Sequence, residues 1–400
     1  MESQYITSER RVRHTDTKFH RYLYGQIEWE DRLIAIKGAR GTGKTTMMLQ
    51  RLKETYGASS RVAVYISLDN LFFTTHSLAE FVDFHYMQGG RAIFIDEVHK
   101  YPMWQTAIKN IYDDYPDLKI VYSGSSMLQI DRRQGDLSRR QAVYELEGLS
   151  FREYLEYEGL ITLQPYSLEE ILKIHNDISY DLIGHGLSVI PIFHDYLKKG
   201  YYPFYKEVRA GYGLRLEELS RQVIESDLPA VEDVQYSTVE KTKKMLMVLA
   251  NNAPKTPKIT ELCRQLDTTR DQGLKMLKAL ERGGLVQTLM FEPHNFKTLV
   301  KPDKILIDNP NLMYALATVG EANIGSVRES FFCSQLRVKG EVQLDRNGDF
   351  RINRELIFEV GGRNKTFDQI ANLPNSYLAV DDMETASANR IPLYMFGLLY

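Results

Sequence analysis

Two cysteines in 400 residues are too few for a disulfide framework. Cys263 and Cys333 each sit in an apolar pattern of helical spacing with no metal-ligand spacing around them, so both are expected as reduced core thiols. No run approaches the roughly 18 uninterrupted apolar residues of a membrane span. The opening residues, MESQYITSER, lack the apolar stretch of a secretory leader. A cytoplasmic location with no membrane association is therefore expected. Internal repeats and low-complexity linkers are also lacking. What is present is ordinary for folded chains, 43% hydrophobic and 26% charged residues, which predicts sizeable cores. At about 100–200 residues per domain, the length argues for two or three domains.

Charge is scarce overall, a net of −3, but unevenly placed. Between Lys241 and Lys304 there are 13 Lys and Arg against 6 Asp and Glu. That excess points to an anionic partner or, equally, to a solvated lysine-rich helical surface.

The first third alternates strand and helix signals. Leu33–Ile36, Val62–Leu68, Ala92–Ile95 and Lys119–Tyr122 read as strands, and Thr45–Tyr56 reads as a helix. Strands separated by helices predict an α/β fold with a parallel sheet. From Leu149 to about Glu240 the pattern is mostly helical, with a Gly/Pro break near Gly200 to Pro203. Helix signals followed by a β-like end run from Lys241 to Met290. After Ser326 come a helix, β-rich runs around Val342, Phe350 and Ile357, and a further helical segment.

The first apolar run empties into Gly38-Ala39-Arg40-Gly41-Thr42-Gly43-Lys44-Thr45, followed by Thr46, a match to G-x-x-x-x-G-K-[ST]. Glycines let the backbone curl so that its N–H groups face phosphate oxygens, and the helix that follows offers its positive end to the same anion. Lys44 is placed for the β- and γ-phosphates, and the Thr45 hydroxyl for one position on Mg²⁺. Ala92-Ile93-Phe94-Ile95 is a buried-type strand ending in Asp96-Glu97. Asp96 is expected to hold Mg²⁺ together with Thr45, and Glu97 to polarise an attacking water. The only Asn-Lys pair, Asn364-Lys365, is followed by Thr366-Phe367, so the guanine-reading Asn-Lys-x-Asp is missing and ATP is preferred by elimination. The fourth strand runs into Ser123-Gly124-Ser125-Ser126, either a source of hydroxyls for the γ-phosphate or a plain turn. His99 reads as a surface residue at a helix start.

Taken together, these strings resemble an AAA+-type family of bacterial and archaeal P-loop ATPases. Leu33-Ile34-Ala35-Ile36-Lys37, Ile95-Asp96-Glu97-Val98-His99, Tyr122-Ser123-Gly124-Ser125-Ser126, Leu137-Ser138-Arg139-Arg140 and Leu149-Ser150-Phe151-Arg152-Glu153-Tyr154-Leu155 carry the likeness. The resemblance implies that one of Ser123, Ser125 and Ser126 is the polar sensor, with Ser125 the candidate. It also implies that Arg140 approaches a nucleotide, including a neighbour's in a homo-oligomer. Arg139 stands where the family has glycine, so either arginine could take that part. The family's C-terminal part is a domain of unknown function, matched here by Lys301 to Asp308 and Gly325 to Glu329.

Two further modules follow. Ile259–Leu266, a Thr268-Thr269 cap, Arg270–Arg282 and Leu285-Val286 lay out a winged helix, with Leu274, Leu277 and Leu280 inward and Arg270, Lys275 and Lys278 outward. DNA and a docking protein are both candidate partners. Glu329, Asp349 and Glu359 come in an order that resembles a restriction-endonuclease-like fold, with Gly361 where that fold has its lysine and Lys365 six residues beyond Glu359. A degenerate domain that does not cut DNA is expected.

The resulting layout is a P-loop ATPase domain over 1–155, a helical lid over 156–240, a winged-helix module over 241–305 and a nuclease-like α/β domain over 306–400. The leading functional expectation is an ATP-hydrolysing switch or motor acting at nucleic acid. Its rivals are a slow ATP-gated protein-interaction or signalling module and an ATP-regulated DNA nuclease.

Overall fold

The structure is a computed structural model that describes residues 1–125, 137, 139–208, 210–231, 234–252, 258–291, 301–317 and 322–400. The chain packs as two compact units. One is Met1–Glu147 with Ser226–Asp233; the other is Gly148–Glu225 with Val234–Tyr400.

The first unit opens with α1 (Glu2–His14) and then alternates β1 (Leu33–Gly38), α2 (Lys44–Tyr56), β2 (Ala63–Ser67), α3 (Leu78–Met87), β3 (Ala92–Asp96), α4 (Trp104–Asp114), β4 (Lys119–Ser125) and β5 (Ala142–Glu145). The strands form one parallel sheet in the order β2-β3-β4-β1-β5. This is the expected P-loop α/β fold. Four of the five strands match the β-rich runs read from the sequence. The fifth, Ala142–Glu145, is a four-residue edge strand, too short to leave much periodic signal.

Strand residues alternate between two apolar layers, as a sheet covered on both faces requires. Leu33, Ala35, Val64, Ile66, Ile93, Ile95, Ile120 and Tyr122 face one side. Ile34, Ile36, Ala63, Tyr65, Ala92, Phe94 and Val121 face the other, against Met47, Met48 and Leu52 of α2. With both faces filled, polar chemistry is left to the strand ends. The order brings the C-terminal ends of β1, β4 and β3 side by side, with Gly38 in register with Ser125.

The second unit is helical at first: α5 (Phe151–Tyr157), α6 (Leu168–Gly184), α7 (Val189–Lys199) and α8 (Tyr212–Gln222). The starts of α5 and α6 are written in the sequence as Ser-x-x-Glu. Ser150 with Glu153, and Ser167 with Glu170, close reciprocal capping boxes. A π-helical turn (Val223–Asp227) and α9 (Leu228–Val231) follow, and most of this stretch belongs to the first unit. The second unit resumes with α10 (Tyr236–Asn252), α11 (Ile259–Gln265), α12 (Arg270–Arg282) and the antiparallel pair β6 (Val286–Leu289) and β7 (Lys304–Ile307). Then come α13 (Pro310–Leu316), α14 (Ile324–Leu336) and a mixed sheet of β8 (Val342–Leu344), β9 (Phe350–Ile352), β10 (Leu356–Gly361), β11 (Ser376–Val380) and β12 (Arg390–Pro392), in sequential order. Phe332 of α14 packs among Phe350, Phe358 and Phe396 to seal that sheet.

The helical segment expected after Ile357 is a correction. The chain there forms β11 and β12 and ends in a 3-10 turn at Leu393–Leu398. Ser376–Val380 lies between Asn375 and Asp382, both at positive φ, and these sharp turns bound a run too short for a helix. Both cysteines are buried free thiols, as expected.

Candidate nucleotide site

Backbone conformation comes first at this site. Gly43 caps α2 at φ 99°, a conformation that a side chain would strain. Gly38 leaves β1 so close to the next strand's exit that a Cβ would meet Leu146 O at 2.3 Å. Between them Thr42 Oγ1 donates to Ala39 O at 2.9 Å, and buried Arg21 donates to Thr42 O and Glu147 O, fastening the outer curve of the loop. Gly41, Ala39 and Arg40 complete the turn, and Thr46 is exposed on the first turn of α2. Lys44 Nζ donates to Gly38 O at 2.8 Å and Ala39 O at 2.9 Å, which holds its ammonium over the loop. Burial pushes the Lys44 pKa down, against the charges of Glu97, Asp96 and Asp227.

Asp96, at the end of β3, is the focus of the site. Its carboxylate accepts from Thr45 Oγ1 at 2.6 Å, from the Tyr65 hydroxyl at 2.7 Å and from Ser123 Oγ. Thr45 belongs to the phosphate loop, Tyr65 to β2 and Ser123 to β4. One carboxylate thus ties together the loop and both neighbours of its own strand. Glu97 follows in the left-handed region at φ 56°, and its N–H lies 3.4 Å from Ser123 Oγ. Burial, and then the Asp96 charge, push the Glu97 carboxyl above its ordinary range.

Behind Glu97 is a charged cluster that the sequence did not reveal. His99, expected at the surface, is 4% exposed. Its Nε2 lies 3.3 Å from Glu97 Oε2 and 3.4 Å from Asp227 Oδ1. Asp227 also pairs with Arg40 at 3.2 Å and Lys100 at 3.1 Å, and Lys100 donates to Ser226 Oγ at 2.6 Å. Burial alone would raise the Asp227 carboxyl. The His99 hydrogen bond and the His99, Lys100 and Arg40 charges outweigh it and hold the carboxyl at about 2.

Residues 30–155 match the family model described as an AAA domain. This part of the chain is similar to an AAA domain. Among curated proteins, an uncharacterized protein of Methanocaldococcus jannaschii is 25% identical over 265 residues. The match covers 62% of this chain and 55% of that protein, so the chain spans about half the length of the relative. Among solved structures, AMPPCP-bound DnaA from Aquifex aeolicus is 15% identical with a TM-score of 0.27, covering 65% of this chain and 84% of that one. PCH-2 from C. elegans is 17% identical with a TM-score of 0.26, covering 70% of this chain and 67% of that one.

At this site the expected residues fall as follows. Gly38 to Thr46, Asp96 and Glu97 converge at one end of the sheet. Ser125 is buried at the end of β4, but the hydroxyl on Asp96 is that of Ser123. Ser126 and Ser138 lie outside the described residues. Arg140 pairs with Asp113 of α4 at 3.2 Å, and Arg139 is exposed beside it. Tyr65, Arg21, His99 and Asp227 are the additions. Tyr65 reads in sequence as one more aromatic of a buried strand, and its role is set by β2 lying next to β3.

In the second unit, Thr269 caps α12 by accepting from Gln272 N–H at 3.3 Å. Leu274, Leu277 and Leu280 are buried, while Arg270, Lys275 and Lys278 are exposed. Lys278 pairs with Glu281. Beyond β10, Lys365 pairs with Glu359 of that strand, and Lys304 of β7 pairs with Glu329 of α14 at 2.8 Å. The chain after Gly361 does fold back: a Cβ on Gly361 would come within 2.6 Å of Lys365 Cβ. Lys365 therefore supplies the cation that the sequence lacks at position 361. Glu329 and Glu359 both sit above the ordinary carboxyl range, by burial first and with the Asp349 charge adding to it. Among the described residues, no helix is long and apolar enough to cross a membrane.

Proposed function

We propose that this chain binds Mg-ATP on its AAA domain and hydrolyses it to ADP and phosphate. The observation that carries the reading is the Asp96 carboxylate, fastened to the phosphate-loop Thr45 on one side and followed by Glu97 on the other. Loop N–H groups from Gly41 to Thr45 and the N-terminus of α2 would hold the phosphates, and Lys44 would neutralise their charge. Thr45 and Asp96 offer adjacent oxygen donors, the donor type Mg²⁺ takes, and they would hold it. When bound, the ion supplies charge neutralisation at the β- and γ-phosphates. Glu97 takes the proton of the attacking water. Ser123 and Tyr65 hold the Asp96 carboxylate in its orientation and donate nothing to substrate.

Turnover and binding test this reading separately. Lys44→Ala is expected to weaken binding of a fluorescent ATP analogue severely. Glu97→Gln is expected to keep binding and lose about 10²–10⁴-fold in turnover, the usual worth of a positioned base. Wild-type affinity in the first variant, or wild-type turnover in the second, would remove the site.

We further propose that the hydrolysis cycle acts on an anionic partner at the exposed basic face of α12, which Arg270 and Lys275 support.

A further inference from the structure

His99 is buried, and its Nε2 faces two carboxylates at nearly equal range, Glu97 Oε2 at 3.3 Å and Asp227 Oδ1 at 3.4 Å. The other ring nitrogen, Nδ1, is buried and has no hydrogen-bond partner among the described residues. One Nε2–H can serve one acceptor well at a time. Whichever carboxylate takes it leaves the other without it.

Asp227 is not an ordinary neighbour. It arrives from 128 residues further along the chain, in a π-helical turn, and three side chains, those of His99, Lys100 and Arg40, converge on it. Two belong to the segment after Glu97, and the third, Arg40, belongs to the phosphate loop. Residues 225 and 234, on either side of this segment, belong to the second unit. The backbone therefore leads from the second unit to Asp227 in both directions.

We propose that His99 and Asp227 are positioning residues for Glu97, with Asp227 drawing the His99 Nε2–H to itself so that Glu97 is free to take the proton of water. The inference rests on the ATPase reading above. With Asp227 seated, Glu97 keeps its oxygen for catalysis. With Asp227 withdrawn, the His99 N–H turns to Glu97 and occupies the lone pair that the water proton needs. The segment at 226–231 is thereby a control on turnover: its seating switches Glu97 on, and its release switches Glu97 off.

The test is a double-mutant cycle on the full chain, with nucleotide affinity and kcat measured separately. Asp227→Asn, nearly isosteric, is expected to lower kcat by about tenfold, a fraction of the 10²–10⁴-fold worth of the base. Affinity for a fluorescent ATP analogue is expected to stay within about threefold, because Lys44 and the N–H groups of Gly41 to Thr45 are unchanged and Arg40 keeps the Asn oxygen as an acceptor in place of the Asp227 carboxylate. In a His99→Ala background the same Asp227→Asn change is expected to alter kcat by less than about twofold, since the N–H it redirected is gone. A tenfold drop that persists undiminished in the His99→Ala background overturns the proposal. So does a parallel loss of affinity and kcat, which marks a merely structural role. Wild-type turnover in Glu97→Gln removes the ATPase reading itself, and the proposal with it, so the two failures are told apart.

Discussion

Tyr65 illustrates how much of this site is set by single hydroxyls. Its O–H donates to Asp96 and accepts from Arg11 Nη1 at 2.8 Å, so α1 is linked to the phosphate loop through one phenol. Tyr65→Phe keeps the ring in its apolar layer and removes only that link. The Mg²⁺ concentration supporting half-maximal turnover is expected to rise about tenfold, the scale found for groups that orient a ligand; an unchanged Mg²⁺ titration would show that Thr45 and Ser123 suffice. Asp227 makes a second prediction, in acid. Its carboxyl is depressed from an ordinary 3.8 to about 2. A depressed carboxyl stabilises the fold above its unfolded pKa and loses that contribution as pH falls through the folded one. The interval is thus about pH 4 down to 2, and the amount is about 2 kcal/mol at ~1.4 kcal/mol per unit. Urea unfolding of wild type and Asp227→Asn is expected to differ by that much at pH 7 and to converge near pH 2. A constant difference across the range would count against this charge account.

At the scale of elements, what could be read in advance depended on sequence distance. The phosphate loop and Asp96-Glu97 were legible because their chemistry is carried by consecutive residues at the end of an apolar run. Ser123 could not be chosen over Ser125, because the choice depends on β4 lying beside β3, and strand order is a long-range property. Asp227 had no signal: an Asp before Leu-Pro in a helical stretch looks like a solvated turn. The helical character of the stretch holding α5 and α6 was legible, while β11 and β12 stand where a helix is expected. The basic helix α12 was legible in both faces, and it predicts salt behaviour. Reversal of Arg270 and Lys275 to Glu is expected to abolish duplex DNA binding, and wild-type affinity is expected to fall steeply between 50 and 200 mM salt, roughly one decade of slope per phosphate neutralised. Absence of DNA binding even at low salt would favour a protein partner on the same face. Lys365 and Lys304 each neutralise one of the three carboxylates. Among the described residues, the His, Cys, Asp or Glu group whose ligand atoms lie within 4.8 Å of one another is His194, Asp381 and Asp382, not Glu329, Asp349 and Glu359. Supercoiled DNA is therefore expected to stay intact in Mg²⁺ with or without ATP. Nicking that vanishes in Asp349→Ala would reverse this and make the restored Lys365 a catalytic group.

For the whole molecule, the open question is whether a second copy completes the site. Arg140 pairs with Asp113 of its own chain and is 31% exposed, so this ion pair is partly open to solvent. Such pairs are worth about 0–1 kcal/mol and are readily exchanged for a phosphate. If Arg140 serves a neighbouring nucleotide, turnover per chain is expected to climb with protein concentration and to stop doing so in Arg140→Ala. A supplied arginine is worth about 10³–10⁵ in rate. Flat specific activity across a dilution series that spans assembly would assign Arg140 to its own fold alone.

The covalent path between the units has a practical consequence. The chain leaves the first unit after Glu147, returns at Ser226 and leaves again after Asp233, so it crosses three times. A fragment cut at the boundary that sequence suggests, after residue 155, would keep the phosphate loop, Asp96 and Glu97. It would lack Asp227, the carboxylate on which Arg40, His99 and Lys100 converge. The first unit is thus not separable by its linear order. Asp227, the common partner of Arg40, His99 and Lys100, is borrowed from the middle of the chain.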